Sequence, residues 1–262
     1  MNVLIACADV DCIGKFDQAS MSDQSRMELV VCTTHCANVF RNSDWDFLPV
    51  SQWRGVRLDT CGHVIAIQWR DLPAPNTIEN GGSIDFRWLP LTTEILQISA
   101  VKIAGKIHTE FLPRSLVIIE VPKNLLSGTF SIESLPEAIK HIDLSMNKFF
   151  GTLRISALPR TLQGFAIGYN KFSGGFDFVG LPPNLRALNV EHNQFDGPVD
   201  LCALPQQLEW LYMGNNNFRQ ETLVLDNLPP QILEFILDVK CFGKIVDGGG
   251  NEIRSPCIGL FV

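Results

Sequence analysis

The residues best suited to catalysis in this chain are His141 and Asp143, which stand two positions apart. A histidine oriented by a carboxylate forms part of a hydrolytic site, where it activates a serine or cysteine nucleophile. No such nucleophile accompanies this pair, and residues two apart share one face of any β-strand. We therefore interpret the pair as strand neighbours and predict that the chain is not an enzyme.

A second group, Cys32, His35 and Cys36, falls within one predicted helical turn and carries thiol and imidazole groups of the kind that bind zinc. No fourth ligand is evident, so we interpret the cysteines as core residues of a helix. His141 and His192 belong to strands two repeat units apart, about 10 Å from each other, too far for a joint ligand set. The sequence predicts no metal site and no cofactor.

Composition favours a folded, acidic protein. Hydrophobic residues make up 46% of the chain and charged residues 19%, with a formal net charge of −7. Nucleic-acid binding requires a basic surface, so we expect no nucleic-acid partner. No apolar stretch approaches the 18 residues that span a bilayer, and we expect no membrane span.

The chain's N-terminus and cysteines bear on its location. The apolar run at 3–8 is short and follows no basic residue, unlike a signal peptide. The eight cysteines form no regular framework, and we expect free thiols rather than disulfides. These features favour a cytoplasmic location. A secreted or cell-surface location is the alternative if a signal is missing from this chain.

The strongest pattern is a repeated Leu-Pro dipeptide. Its leucines are separated by five intervals of 23 residues and one of 24: Leu89, Leu112, Leu135, Leu158, Leu181, Leu204 and Leu228. Apolar residues recur seven and nine positions after each leucine, which predicts one short strand per unit with its apolar face inward. Near-identical intervals of this length indicate a solenoid of stacked coils.

Three further columns keep the same phase. Asparagine recurs twelve positions after the leucine, an apolar and mostly aromatic residue fourteen after, and glycine sixteen after. We expect the asparagines to bond turn backbone, the aromatic column to form an internal spine, and the glycines to permit a sharp bend. Alternating apolar pairs before each Leu-Pro, such as Phe130 and Ile132, predict a second short strand on the return path.

The pattern LPxxLxxLxLxxNxFxG resembles the leucine-rich-repeat family over about residues 84–250. The segments LRALNVEHN and LEWLYMGNN match the family's strand motif almost literally, while Val101 and Lys240 replace the asparagine in the first and last units. The resemblance implies an α+β, mostly β fold. It is a leucine-rich-repeat solenoid with a curved parallel sheet on the concave face and a short helical N-terminal cap.

Residues 52–69 are similar to the WxGV-containing N-terminal cap of plant-type and protist-type leucine-rich-repeat proteins. The matching positions are Trp53, Gly55, Val56, Gly62 and Val64. This resemblance implies a zeroth repeat whose strand passes through Ile65 and Ile67, followed by a projecting loop near 73–81. Upstream, we expect a cap helix within 20–41, N-capped by Ser22 or Asp23, and a core plug from Trp45 and Phe47.

These elements divide the chain into three parts. We predict an N-terminal cap at 1–62, a solenoid of about eight coils at 63–246, and a C-terminal cap at 247–262. The glycine-rich segment 247–252 lacks the lysine of a phosphate-binding loop and is interpreted as a turn in that last cap.

In each predicted strand, the residues that alternate with the inward ones face the concave side. Both tyrosines of the chain fall there, and exposed aromatics are enriched in binding sites. For the zeroth repeat, the same alignment places Val64, Ala66 and Trp69 on this face. The candidate binding residues are Trp210, Tyr212, Tyr169, His192, Asn189, Glu191, Asp143, His141 and Glu120.

The sequence thus favours a non-catalytic protein-binding scaffold that uses its concave sheet to hold a protein partner. Two alternatives stay open. The chain could be a structural subunit built permanently into a larger assembly, or a regulatory fragment of a larger enzyme or receptor.

Overall fold

The structure, a computed structural model, describes residues 20–70 and 81–253. Within these ranges the chain forms one α-helix, α1 (Asp23–Val31), several short 3-10 helices and sixteen short strands. In chain order the first eight strands are β1 (Val56–Leu58), β2 (Val64–Arg70), β3 (Ile95–Ser99), β4 (Ala104–Gly105), β5 (Ile118–Glu120), β6 (Leu125–Gly128), β7 (His141–Asp143) and β8 (Lys148–Gly151). The others are β9 (Gly164–Ala166), β10 (Lys171–Gly175), β11 (Ala187–Asn189), β12 (Gln194–Asp196), β13 (Trp210–Tyr212), β14 (Gln220–Leu225), β15 (Glu234–Ile236) and β16 (Phe242–Asp247).

One strand from each coil joins a nine-stranded sheet in the order β1-β2-β3-β5-β7-β9-β11-β13-β15. All neighbours from β2 onward are parallel, and only β1 runs antiparallel to β2. Equal coil length keeps the register, so residues 23 apart pair directly, as His141 does with Gly164. The predicted fold class, a mostly β leucine-rich-repeat solenoid with a helical N-terminal cap, is confirmed.

The asparagine column forms a hydrogen-bonded ladder, as predicted. The Asn147 amide donates to the carbonyls of Leu144 at 3.0 Å and of Val121, in the preceding coil, at 2.9 Å. Its Oδ1 accepts the N–H of Leu126 at 3.0 Å. The same bonds recur at Asn124, Asn170, Asn193 and Asn216. Each amide therefore joins two successive coils.

The aromatic column is an internal spine, as predicted. Phe149, Phe172 and Phe195 are fully buried, and their rings stack nearly parallel with centroids 6.2 and 6.3 Å apart. Phe218 continues the stack at 6.5 Å from Phe195. Stacked rings of equal size fill the same space in each coil, so neighbouring coils bury one another's apolar surface.

The predicted return strand is misplaced along the coil. The second sheet, in the order β12-β10-β8-β6-β4, lies earlier in each coil, around the spine residue and the positive-φ glycine. Before Leu-Pro, several coils form a 3-10 helix instead, such as Ile155–Ala157. Phe130 and Ile132 are buried outside any strand. The alternation of apolar residues in this segment arises because their side chains are buried, although the backbone does not pair with another strand. Only Leu223 and Leu225 lie in a strand, β14, which pairs with β16.

The N-terminal cap begins with α1, where the Ser22 hydroxyl accepts the N–H of Ser25, as expected of an N-cap. The helix occupies only part of the segment 20–41 in which we expected it. It ends at Val31, and a 3-10 helix follows at His35–Phe40. The helix buries Met27, Val30 and Val31 against the first coil.

The expected plug residues are wrong in part. Trp45 is 66% exposed, and Phe47 is only partly buried. The ring that fills the open end of the coil is Trp53, which is 2% exposed and stacks on Phe40 at 4.4 Å. Its Nε1 donates to the Leu48 carbonyl at 2.7 Å, so its one polar group is satisfied on burial.

The register of the zeroth repeat differs by two residues from the sequence alignment. Ile67 and Trp69 pair with Leu96 and Ile98, so they are the inward positions of this coil. Trp69 is accordingly 2% exposed, and Val64 and Ala66 are also buried. None of Val64, Ala66 and Trp69 contributes to an open concave face, contrary to our expectation. A two-residue slip keeps strand alternation, which is why the pattern alone did not reveal it.

Several expectations fall partly or wholly outside the described residues. These are the apolar run at 3–8, nearly all of the loop at 73–81, and the end of the C-terminal cap after residue 253. Within the described chain, Asp247 Oδ1 accepts the N–H groups of Gly249 and Asn251, which forms the expected turn. The three-part domain division stays a prediction.

The described cysteines agree with the expectation of thiols. Cys36, Cys61, Cys202 and Cys241 are free thiols, and the Cys32 thiol donates to the Leu29 carbonyl at 3.3 Å. Cys36 is buried, as expected of a core residue, but Cys32 is exposed, contrary to that interpretation. Within the described residues neither of these two belongs to a metal-binding cluster. No helix in that part is both long and apolar enough to cross a bilayer.

Candidate binding surface on the concave face

The three-residue strands set the concave surface. In β5, β7, β9, β11, β13 and β15 the middle residue is buried and the outer two are half-buried. The outer positions therefore face outward, six and eight residues after each Leu-Pro leucine. Because the strands are in register, these side chains form two rows across the sheet.

In the middle of the sheet, these two rows of side chains form a shallow depression in the concave surface. The floor of this concave depression is formed by small residues on two adjacent strands: Gly164, Ala166 and Ala187. Its walls are Glu120, His141 and Asp143 on the N-terminal side and Asn189 and Tyr212 on the C-terminal side. The volume is about 170 Å³, enough for one or two side chains of a partner.

The depression depends on the absence of a side chain at Gly164. A Cβ built there would lie 3.0 Å from His141 Nδ1, closer than ordinary van der Waals contact. Any larger residue would displace the imidazole and fill the floor. Gly164 thus allows the His141 ring to lie over the neighbouring coil.

Carboxylates and amides on this face bond along the rows. Gln68 donates to Gln97, and Gln97 donates to Glu120 Oε2, both at 2.6 Å. These two successive hydrogen bonds hold the Glu120 carboxylate in place at the edge of the concave depression. Sequence analysis predicted Glu120 on this face but not its connection to Gln68, because the zeroth repeat was misaligned.

The other carboxylates on this face are held locally. Asp143 Oδ1 accepts the N–H of Ser145 at 2.9 Å. The Asn189 amide donates to Glu191 Oε1 at 3.1 Å and accepts the Glu191 N–H at 3.0 Å. These bonds orient the polar groups before any partner arrives.

Tyr212 donates its hydroxyl hydrogen to Glu234 Oε2 at 2.5 Å. Burial, reinforced by this bond and by the charges of Glu234 and Glu191, raises the pKa of Tyr212 to about 12. The phenol is therefore neutral near pH 7 and presents a fixed ring edge to the depression.

The remaining aromatic candidates form a separate group at the rim. The rings of Tyr169 and His192 stack with centroids 4.0 Å apart, and Asn215 Nδ2 lies 3.1 Å from His192 Nε2. All three residues have positive φ, as do Lys123 and Met146 in the same column. The turn at the end of each concave strand imposes this conformation, and it directs Met146 and Tyr169 into solvent at 46% and 45% exposure.

Seven of the nine predicted binding residues thus form two groups, and the other two lie beside them. Glu120, His141, Asp143, Asn189 and Tyr212 line the concave depression, and Tyr169 with His192 forms the rim stack. Trp210 is half-buried between Ala187 and Glu234 in register. Glu191 contacts Asn189. Sequence analysis did not single out Gly164, Ala166 and Ala187, the three small residues that together form the floor.

Two larger clefts lie elsewhere. One of about 620 Å³ lies between residues 216–221 and 240–241, and one of about 420 Å³ is lined by residues 106–110, 127–131 and Phe150. Neither brings together as many fixed acidic, amide and phenolic groups over a small-residue floor. We therefore treat the concave face as the candidate site.

No model of a known protein family matches the chain, and no curated protein matches it. Solved structures do match. The structure of PEPR1–AtPEP1 aligns with 82% of this chain and 38% of the other at 16% identity, with a TM-score of 0.58. At this identity the similarity shows the fold alone.

Two further structures align less closely. A plant ice-binding protein covers 77% of this chain and 80% of its own at 19% identity and a TM-score of 0.48. The leucine-rich-repeat ectodomain of the receptor kinase SOBIR1 from Arabidopsis thaliana covers 75% and 95% at 19% identity and a TM-score of 0.43. The chain spans about a third of the longer receptors that it matches, 38% of PEPR1 and 34% of RGFR1.

Nothing in these comparisons supports the expected cytoplasmic location. They agree with the sequence on the fold. The 23-residue period, the parallel strand of each coil, the asparagine ladder and the similarity to PEPR1 show that the chain has a leucine-rich-repeat fold.

Proposed function

We propose that this chain is a non-catalytic binding protein that holds a protein or peptide partner on its concave face. The observation that carries the proposal is the concave depression, a gap of about 170 Å³ in an otherwise continuous sheet surface. A gap between oriented polar groups accepts an inserted side chain, which is how interface anchors bind.

The polar groups around the depression favour binding over chemistry. Glu120, Asp143 and Asn189 are each fixed by a hydrogen bond of 2.6–3.1 Å to a neighbour. Groups that are already oriented lose little conformational entropy on binding, which favours affinity. No serine, threonine or cysteine that the His141–Asp143 pair would activate is among the residues that line the depression.

Aromatic side chains extend the surface beyond the depression. Trp210 and Tyr212 lie on β13 beside it, and the Tyr169–His192 stack stands at the rim. Tyrosine and tryptophan combine large contact area with few rotatable bonds, and they are enriched at interaction hot spots. The similarity to PEPR1, solved as PEPR1–AtPEP1, is consistent with a fold that supports binding.

Two rival functions make different predictions. A structural subunit would stay bound to its assembly through coil edges and would not dissociate reversibly. A regulatory fragment would act together with a further domain, and the chain spans only 38% of the PEPR1 chain. Neither rival requires an open depression on the concave face.

The experiment tests whether a partner needs the depression. Proteins captured from native cells by the tagged chain are compared with those captured by the Ala187→Leu variant, whose longer side chain fills the floor. Phe150→Ala is the matched control, because Phe150 is 50% exposed on β8, in the other sheet.

We expect a partner retained by the wild type and by Phe150→Ala and lost with Ala187→Leu, at unchanged thermal stability. The purified partner should then bind reversibly, with the affinity for Ala187→Leu reduced at least tenfold. Equal binding to all three proteins would exclude the concave face as the site, and a partner that never dissociates would favour the structural subunit.

We also propose a secreted or cell-surface location. Its support is the WxGV-like cap, similar to that of plant-type and protist-type proteins, and the test is fractionation of the native cells. Recovery in the cytosol alone would overturn it.

A further inference from the structure

The tip of the β1–β2 hairpin carries three different metal-binding side chains within five residues, in the segment Asp59-Thr-Cys61-Gly-His63. A carboxylate oxygen, a thiol sulfur and an imidazole nitrogen from Asp59, Cys61 and His63 all lie within 4.8 Å of one another. In the part of the chain that the structure describes, this is the one place where three such groups converge. The concave face plays no part in this cluster.

Two of the three ligand atoms already have the separation that a metal ion imposes. Asp59 Oδ2 lies 3.3 Å from His63 Nδ1. Oxygen and nitrogen ligands at 2.0–2.1 Å from a tetrahedral zinc ion lie about 3.3 Å apart. A metal ion placed between these two atoms therefore requires no movement of the backbone.

The hairpin backbone holds the carboxylate in place. Asp59 Oδ1 accepts the N–H groups of Cys61 at 2.8 Å and His63 at 2.9 Å, and the Gly62 N–H bonds the Asp59 carbonyl at 3.2 Å. Because both of these N–H groups bond Oδ1, the second oxygen of Asp59 is left outside the turn. Only Oδ2 is then directed toward the imidazole.

The thiol is free to adjust. Sulfur and nitrogen ligands of a tetrahedral zinc ion lie about 3.6 Å apart. Cys61 Sγ already lies within 4.8 Å of the other two ligand atoms, so any approach that it needs is short. Cys61 is exposed, and rotation about its side-chain bonds meets no packed core. Gly62, at φ +88°, has open space around its Cα, so the turn is not crowded from that side.

We propose that this hairpin binds one divalent ion of the zinc class, with Asp59 Oδ2, Cys61 Sγ and His63 Nδ1 as ligands and water in the fourth position. Thiolate and imidazole ligands favour zinc and related transition metals over magnesium or calcium. On binding, the Cys61 thiol releases its proton to solvent, and His63 binds as the neutral imidazole with its proton on Nε2.

The chain offers matched controls that each lack one ligand type. His108 Nδ1 lies 3.5 Å from Glu110 Oε1, a similar histidine–carboxylate pair without a thiol in its cluster. Cys202 is an exposed thiol whose N–H bonds Asp200, without an imidazole in its cluster. Variants His108→Gln and Cys202→Ser therefore remove a histidine or a thiol of similar exposure from another site.

The experiment is a titration of the reduced, metal-free full chain with cobalt(II), followed by displacement with zinc. The wild type should bind one cobalt ion more than Cys61→Ser does. That ion should show near-ultraviolet thiolate-to-cobalt absorption and the visible bands of tetrahedral coordination. We expect Cys61→Ser and His63→Gln each to weaken this binding at least tenfold, with His108→Gln and Cys202→Ser unchanged.

Thermal unfolding provides a second readout that separates loss of binding from loss of fold. Without metal, the variants at 61 and 63 should unfold at the wild-type temperature, because neither side chain is buried. Zinc should raise the unfolding temperature of the wild type and not that of Cys61→Ser. The proposal would be overturned if wild type and Cys61→Ser gave the same cobalt spectra and bound the same number of ions. It would also be overturned if the wild type bound no ion at a metal concentration of about 100 micromolar.

Discussion

Asn147 Oδ1 accepts the backbone N–H of Leu126 in the preceding coil at 3.0 Å, while the same side chain donates from Nδ2 to its own coil. One amide therefore closes the turn after one strand and fastens it to the turn before. The bond pattern recurs in five successive coils, so the ladder runs along the solenoid as a continuous polar seam beside the apolar core.

Replacement of Asn147 by alanine should destabilise the chain by about 3 kcal/mol. The change leaves the buried N–H of Leu126 without a partner, which costs about 1–3 kcal/mol. It also removes one of two donors from each of the carbonyls of Val121, Leu144 and Ser145. The measurement is chemical denaturation. Asn184→Ala is the control, since Asn184 is exposed and donates one bond to the Arg160 carbonyl. Equal losses for both variants would contradict the structural role of the ladder.

Replacement of Phe172 by alanine should cost about 3–5 kcal/mol of unfolding free energy, because it removes a ring from the middle of the spine and leaves a cavity that stacked neighbours cannot close. Phe150 is the matched control. It pairs with Lys171 across β8 and β10 but is 50% exposed, so Phe150→Ala should cost under about 1 kcal/mol. A loss below about 0.5 kcal/mol for Phe172→Ala would show that the spine assignment is wrong.

The columns that fill the coil could be predicted from sequence because a fixed period multiplies weak local signals. One phenylalanine such as Phe172 says little, but four at equal spacing must lie at equal depth. The return path could not be predicted in the same way. Alternation at Phe130 and Ile132 arises equally from a strand and from an irregular buried segment, and only backbone pairing separates the two.

The N-terminal cap contains no sequence repeat from which the positions of its buried residues could be predicted. Trp45 and Trp53 are both flanked by polar residues, and only the packing against Phe40 distinguishes the buried ring. The same absence allowed the zeroth repeat to be aligned two residues away from its true register. Trp69 was therefore expected on the surface, although it fills the core.

The rows of residues on the concave face could be predicted from the repeat register, but the depression within these rows could not. Asp143, Asn189 and Tyr212 were singled out for their polarity or ring. The depression between them exists because Gly164 and Ala187 have almost no side chain. Small residues carry no chemical signal of their own, and a sequence search that weighs functional groups passes over them.

Gly55→Ala should destabilise the cap by more than about 3 kcal/mol. Gly55 has φ +77°, and an added Cβ would lie 2.2 Å from the Gln68 carbonyl oxygen, so strain and a backbone clash combine. Gly62→Ala in the same hairpin is the control. Its φ is +88° with nothing within 4 Å of the added Cβ, so only the conformational cost of about 1–2 kcal/mol applies. Thermal unfolding of both variants checks the order, and a reversed order would contradict the close approach.

Tyr212 should lose its proton near pH 12 rather than near 10. Its pKa is raised because burial and the Glu234 carboxylate disfavour the phenolate. The folded state therefore prefers the protonated form, and this stabilisation is complete below pH 10 and is lost as pH rises from about 10 to 12. The difference in tyrosinate absorbance between wild type and Tyr212→Phe isolates this group. A midpoint near 10 in that difference, while circular dichroism stays native, would contradict the bonded geometry.

Trp210→Ala and Tyr212→Ala should each weaken binding of the concave-face partner at least tenfold without unfolding the chain. Both side chains flank the depression and are half-buried, so their loss removes partner contact area from the surface. The unfolding free energy should fall by under about 2 kcal/mol, because the core residue of β13, Leu211, is untouched. Trp45→Ala is the control for loss of an exposed tryptophan, since Trp45 is 66% exposed in the N-terminal cap. Calorimetric titration of the partner isolated with the wild-type chain gives the comparison. If Trp45→Ala weakened binding as strongly as Trp210→Ala, the partner would lie against the cap rather than on β13.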